Sequence, residues 1–96
     1  MFGVGMSPPI DVVHVPESSR FEVRDPSATA VLTYERSDGT VTFLHTVVPV
    51  ELEGRGVGSQ LAEAAVGWAR AEGLEVVAVC SFVQAWLERH PDALAS

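Results

Sequence analysis

The sequence predicts a mixed α/β fold in which antiparallel strands come first and a strand–helix–strand unit follows. Three observations carry that expectation. Apolar and polar residues alternate from Thr29 to Arg36 and resume after Asp38-Gly39, the pattern of a hairpin. An apolar stripe at helical spacing then spans about Gly56 to Glu72. After it, Val76 to Val79 is a continuous apolar run, as in a strand covered on both faces. Ninety-six residues with 47% hydrophobic and 20% charged side chains suffice for one globular domain and are unlike a disordered chain.

Met1 to about Ile10 holds two glycines and a Pro-Pro pair, and reads as a loose tail, 1–10, ahead of a single domain, 11–96. Phe21 to Arg24 alternates as a short strand, with an extension back toward Val12 as one reading of its start. Asp25-Pro26-Ser27 is turn chemistry. Thr29 to Arg36 places Ala30, Leu32 and Tyr34 on one face. Ser37-Asp38-Gly39 turns the chain, and Thr40 to Val48 is the partner strand, ended by Pro49. In the long helix Val57, Leu61, Ala64, Ala65 and Trp68 share one face, opposite Ser59, Glu63 and Arg70; Gly73 follows as a C-terminal stop. A right-handed crossover then makes Val76–Val79 parallel to the preceding strand. Ser81-Phe82-Val83-Gln84 matches a capping box and opens a second helix, with Phe82, Val83, Trp86 and Leu87 on its apolar face. Pro91 ends that helix near Arg89. The expected order is three antiparallel strands, a long helix, a parallel strand and a short helix, without internal repeats.

Charge and cysteine usage narrow the range of functions. The net charge is −7 with only six basic residues, which argues against a nucleic-acid partner because phosphate neutralisation needs a basic surface. An acidic surface favours a cationic partner such as an amine, although solubility explains most of these carboxylates. A lone cysteine, Cys80, forbids an internal disulfide and suits a reducing compartment. Met1 to Pro9 has neither a cationic start nor a sustained apolar run, so no signal peptide or membrane span is expected, and the cytoplasm follows by elimination. No metal-ligand set is read. A monomer or weak homodimer is expected.

The run Glu53-Gly54-Arg55-Gly56-Val57-Gly58-Ser59 speaks most directly about function. Glycines at alternate positions leave backbone N–H groups bare where a helix N-terminus already lacks partners. Those donors, the positive end of the helix dipole and Arg55 make a site for a phosphate or pyrophosphate. The plainer reading is a turn that only swings the chain from strand to helix. A nucleotide P-loop needs Lys then Ser or Thr after its last glycine, whereas Ser59-Gln60 follows Gly58. The dinucleotide fingerprint fails as well, because Ser59 replaces its third glycine and Pro49 to Glu53 intervene after the strand.

In the register Glu53, Gly54-Arg55, Gly56, Val57, Gly58, the loop resembles the pyrophosphate loop of the GNAT N-acetyltransferase superfamily. His45-Thr46-Val47-Val48-Pro49, Cys80-Ser81-Phe82-Val83 and His90-Pro91 extend the resemblance to the short, domain-only branch, over roughly Val12 to Pro91. Glu53 departs from the pattern, since Gln or Arg is usual there; a carboxylate repels pyrophosphate, so Glu53 is expected to point away or to weaken affinity. The resemblance implies a minimal GNAT-like fold and acetyl-CoA, or CoA, as cofactor. It implies that Gly54, Arg55, Gly56, Val57, Gly58 and Ser59 hold the pyrophosphate. It implies that the backbone of Val47 and Val48 pairs with the pantetheine arm, which enters a splay between the two parallel strands. Cys80, Ser81, Phe82 and Val83 would border the thiol end.

Transfer from a thioester to an amine needs the amine positioned and freed of its proton. The family's frequent glutamate corresponds to about Thr42, which cannot accept a proton. His45 is the nearest candidate base, but alternation groups it with Val41, Phe43 and Val47, where a core histidine is the plainer expectation. Cys80 sits at the C-terminal end of a parallel strand and before a helix N-terminus, a position that stabilises a thiolate. It serves as an acetyl carrier, as an acid toward the departing CoA thiolate, or as a small buried apolar residue. His90 is read as a surface residue of the second helix, a cap on that helix or a contact to cofactor phosphates, with capping preferred, and Trp68 and Trp86 are expected to be core. The function read is acetyl transfer to an amine: a protein lysine, an N-terminus or a small amine. The alternative is a CoA-binding or protein-interaction module without catalysis.

Overall fold

Strands β3 (Thr29–Ser37) and β4 (Thr40–Val47) form the hairpin that Asp38-Gly39 predicts. Asp38 adopts the left-handed conformation, φ 55°, which Asp tolerates better than most residues. These elements belong to a computed structural model that describes residues 10–94. Of the expected tail, residues 1–9 lie outside the described residues; Ile10 packs against the core.

Strand β2 (Arg20–Arg24) pairs antiparallel with β3, and β1 (Val12–Val15) pairs antiparallel with β2. The antiparallel part therefore has four strands, not the three expected. Val12–Val15 does not extend the next strand; it folds back on it. Pro16 has no N–H to give a ladder and opens a 3₁₀ turn, Pro16–Ser18, after which Ser19 reverses the chain at φ 53°.

Helix α1 (Val57–Ala71) follows the glycine loop and returns across the sheet to β5 (Glu75–Ala78), which joins β4 in parallel. The sheet order is β1-β2-β3-β4-β5. Gly73 stops α1 in the left-handed conformation, φ 70°: its N–H donates to the Arg70 carbonyl at 3.1 Å, and that of Leu74 to Ala69 at 2.9 Å. Val57, Leu61 and Ala65 are buried as their spacing predicts. Ala62, Val66 and Ala69 share that burial, because the second helix packs beside α1 and widens its covered face; Ala64 and Trp68 sit at the margin.

The expectation that Val76–Val79 is covered on both faces fails. Val77 and Val79 are 41% and 60% exposed, while Val76 and Ala78 turn toward the core. Strand β5 is a sheet edge, and both helices contribute to the same core cluster as the inward faces of Phe21, Leu32, Val41 and Phe43. The valine run reflects preference for extended backbone rather than double burial. Helix α2 (Ser81–Arg89) ends as Pro91 predicts, with Val83 and Trp86 buried. The capping box does not form. Cys80 is the N-cap, Ser81 is already helical, and the Gln84 amide donates instead to the Ala78 carbonyl at 2.8 Å.

At the far end of α1 an aromatic group fixes β1 to the core. The His14 ring stacks on Phe21 (centroids 4.1 Å apart, 5° between planes), meets Trp68 edge-on at 4.8 Å, and shares a 2.8 Å hydrogen bond with the Tyr34 hydroxyl. Loss of solvation lowers the His14 pKa below its ordinary value of 6.5, against opposition from Glu17 and Glu72; the same burial raises that of Tyr34. The folded chain thus binds the His14 proton less readily than the unfolded chain. Its contribution to stability is whole above the ordinary value and declines as pH falls below it. In His14→Phe, urea melts at stepped pH are expected to show a shallower acid-side decline below about pH 6.5 than in the parent chain.

Candidate functional site

Past β4, Pro49 and a 3₁₀ turn, Val50–Leu52, lead into the glycine loop, and Leu52 anchors the turn at 1% exposure. Gly54 and Gly56 take φ values of 80° and 76°, and a Cβ on either would meet nothing within 4 Å. Glycine is required there by backbone conformation, not by crowding. Gly56 is the N-cap of α1 and supplies no side-chain cap. The first bond of the helix runs from the Gln60 N–H to the Gly56 carbonyl at 3.1 Å, so the N–H groups of Val57, Gly58 and Ser59 precede the helical ladder. These residues face a hollow of about 390 Å³ whose lining includes Thr46, Val48, Glu53, Gly54 and Phe82.

Glu53 is among the residues that line the hollow, and it is exposed. Arg55 reaches across to the β2–β3 turn, where its guanidinium lies 3.4 Å from Asp25 Oδ1. Hydrogen bonds from the Ser27 hydroxyl (2.7 Å) and N–H (3.1 Å), then the charge of Arg55, hold the Asp25 carboxyl below its usual range. The positive charge of Arg55 is thus at the shoulder of the loop, partly committed to a partner.

Beside the loop the two parallel strands part. β5 pairs with β4 only as far as Phe43, whose carbonyl accepts the N–H groups of both Val79 and Cys80 at 3.0 Å. Beyond that point β4 continues without a β5 partner. A bulge lies at the same place: Tyr34 is opposite Phe43 and Thr33 opposite His45, so Leu44 is an extra residue. One inserted residue reverses the alternation that follows. Thr46 turns to the helix side, while His45 and Val47 turn to the open face of the sheet, Val47 being 55% exposed. The core position expected for His45 is thereby corrected: the residue is exposed.

Cys80 is 8% exposed, and its Sγ is hydrogen-bonded to Thr46 Oγ1 at 3.2 Å. A second hollow, of about 430 Å³, brings His45, Val47, Cys80, Ser81 and Phe82 together. Thr46 and Phe82 line both hollows. Val83 lines neither; it is fully buried in the core. His90 caps α2 as expected, its Nδ1 donating to the Trp86 carbonyl at 2.8 Å while its ring stacks on Trp86 at 4.2 Å. Trp86 is core at 5% exposure, and Trp68 is half-buried beneath Arg36. Thr46 is the residue that sequence reasoning missed, since only the bulge turns it toward Cys80.

A bare-amide helix start next to a parted pair of parallel strands is the geometry that the GNAT resemblance implies, and comparison with known proteins decides the family. The model of the GCN5-related N-acetyl-transferase family matches residues 20–96. The chain belongs to that family. Among other members of similar sequence, Protein NATD1 from Gallus gallus is 34% identical over 86 residues, spanning 86% of this chain and 78% of that protein, and Protein NATD1 from Mus musculus matches to the same extent. An NMR solution structure of a Staphylococcus aureus protein described as GCN5-like superposes with a TM-score of 0.68 at 32% identity, covering 88% of this chain and 83% of the other. The GCN5-related N-acetyltransferase fold here is a five-stranded mixed sheet with two helices. Among the described residues no helix is long and apolar enough to cross a membrane.

Proposed function

We propose that this chain binds acetyl-CoA in the glycine loop and the β4–β5 splay and transfers the acetyl group to an amine, in the cytoplasm. The observation that carries the reading is the set of N–H groups on Val57, Gly58 and Ser59, ahead of the helical ladder and beside a hollow that shares Thr46 and Phe82 with the hollow at Cys80. The donor set fits a pyrophosphate, because unpaired amides at the positive end of a helix favour an anion and glycine leaves them uncovered. The backbone of β4 past Phe43, without a β5 partner, fits an extended arm carrying amides.

Bound acetyl-CoA supplies an activated thioester carbonyl. His45, on the open face, accepts the proton of the incoming amine. As the C–N bond forms and the C–S bond breaks, the Cys80 thiol gives its proton to the departing sulfur. The proton taken up by His45 then passes through solvent to the Cys80 sulfur, which lies 3.2 Å from Thr46 Oγ1, so that both groups return to their starting states. The acceptor is a cationic amine, protein-borne or small, drawn by the net charge of −7. The chain contains no lysine, so its own side chains offer no competing amine.

Release of CoA thiol from acetyl-CoA, with and without a peptide bearing a free N-terminus or with spermidine, tests this reading. Amine-dependent release supports it. Release at the rate of simple hydrolysis with every amine would leave the CoA-binding module without catalysis, a reading favoured by Thr42 at the family's glutamate position. Glu53 bears on affinity in either case. Glu53→Gln removes a carboxylate from the lining of the pyrophosphate hollow, and calorimetry at low salt is expected to show CoA binding about 3- to 10-fold tighter, with the gain shrinking as salt is added.

A further inference from the structure

We propose that the Phe82 ring is a swinging partition between the two hollows, and that the arm of a bound CoA must displace it to reach Cys80. The inference rests on the cofactor reading above and adds a moving part to it. A Cβ built on Gly58 would stand 2.7 Å from Phe82 Cζ and 3.2 Å from Cε1 and Cε2. The tip of the ring therefore occupies the space of a side chain over the first turn of α1. Only glycine at position 58 permits that position.

The hollow at the glycine loop and the hollow at Cys80 share two lining residues, Thr46 and Phe82. Thr46 is held on β4 by its strand and by the bond to Cys80. Phe82 is in the first turn of α2, half-buried, with its far end against a glycine. Of the two, Phe82 is the one that can move by a side-chain rotation alone. A small anion held by the loop amides does not need to pass it. A ligand with its head at the loop and its thioester at Cys80 does. Gly58 thus has two uses: it bares an amide for the anion and gives the ring its resting place.

The experiment compares CoA with 3′-phosphoadenosine 5′-diphosphate, which keeps the head and pyrophosphate but has no arm, on the full chain and on Phe82→Ala. Association rates come from NMR line shapes. In Phe82→Ala, CoA is expected to associate at least about fivefold faster, because the closed fraction no longer taxes binding, while the head fragment changes by less than about twofold. If the head fragment binds and CoA association is unchanged, or both ligands change alike, the partition is refuted and the cofactor site stands. If neither ligand binds the parent chain, both ideas fall. A readout without ligand uses Gly58→Ala, whose new methyl group must push the ring aside. Alkylation of Cys80 by iodoacetamide, followed by mass spectrometry, is expected to accelerate at least about threefold in that variant. An unchanged alkylation rate would refute the coupling of Gly58 to Phe82.

Discussion

Replacing Gly56 with aspartate is expected to leave the chain folded and to weaken acetyl-CoA binding about 100-fold, or about 2.7 kcal/mol. Folding tolerates the change because a Cβ at Gly56 meets nothing within 4 Å, and Asp adopts the left-handed conformation at a cost of about 1–2 kcal/mol. A negative charge at the start of α1 also complements the helix dipole. The same carboxylate competes with pyrophosphate for the amides of Val57, Gly58 and Ser59 and repels its charge. A charged hydrogen bond contributes about 1.5–3 kcal/mol, so losing one or two accounts for the expected change. Calorimetry with a parallel urea melt separates binding from stability. Undiminished affinity in a folded variant would show that the loop is only a turn.

Cys80→Ala is expected to lower the turnover of acetyl transfer by about 100-fold, a barrier increase of about 2.7 kcal/mol, with the KM for acetyl-CoA nearly unchanged. The split follows from where the residue stands. Its sulfur is at the N-cap of α2 and beside Thr46, in the hollow it shares with His45, whereas Val57, Gly58 and Ser59, proposed to hold the pyrophosphate, line the other hollow. Stability should fall by only about 1 kcal/mol, since one small buried group is removed. Equal rates for the variant and the parent chain would make Cys80 a packing residue.

Where the chain's local chemistry decides its geometry, the sequence is a sound guide. Asp38-Gly39 sets the hairpin, Gly73 stops α1, Pro91 stops α2, and the alternate glycines mark the loop where the helical ladder has not begun. Reading fails where a distant partner decides. Alternation assigns His45 to the core because it cannot register Leu44, and that extra residue exists only relative to β3. It also hides Thr46, whose role depends on the reversed parity. Four apolar residues at Val76–Val79 look buried on both faces, yet exposure depends on helices that both pack on the other side. Ser81-Phe82-Val83-Gln84 fits a capping box, but the Ala78 carbonyl claims the glutamine and Cys80 takes the cap. In the candidate site, the glycine turn at the start of α1 is legible in the sequence and the position of Phe82 is not, because the ring's place over Gly58 joins residues from separate helices.

An amide NMR titration of the protein with acetyl-CoA tests the central claim most directly. Saturable shifts centred on Arg55 to Ser59, extending along Val47 and Val48 to Cys80, are the predicted result. Resonances of those residues unmoved at millimolar acetyl-CoA would contradict it.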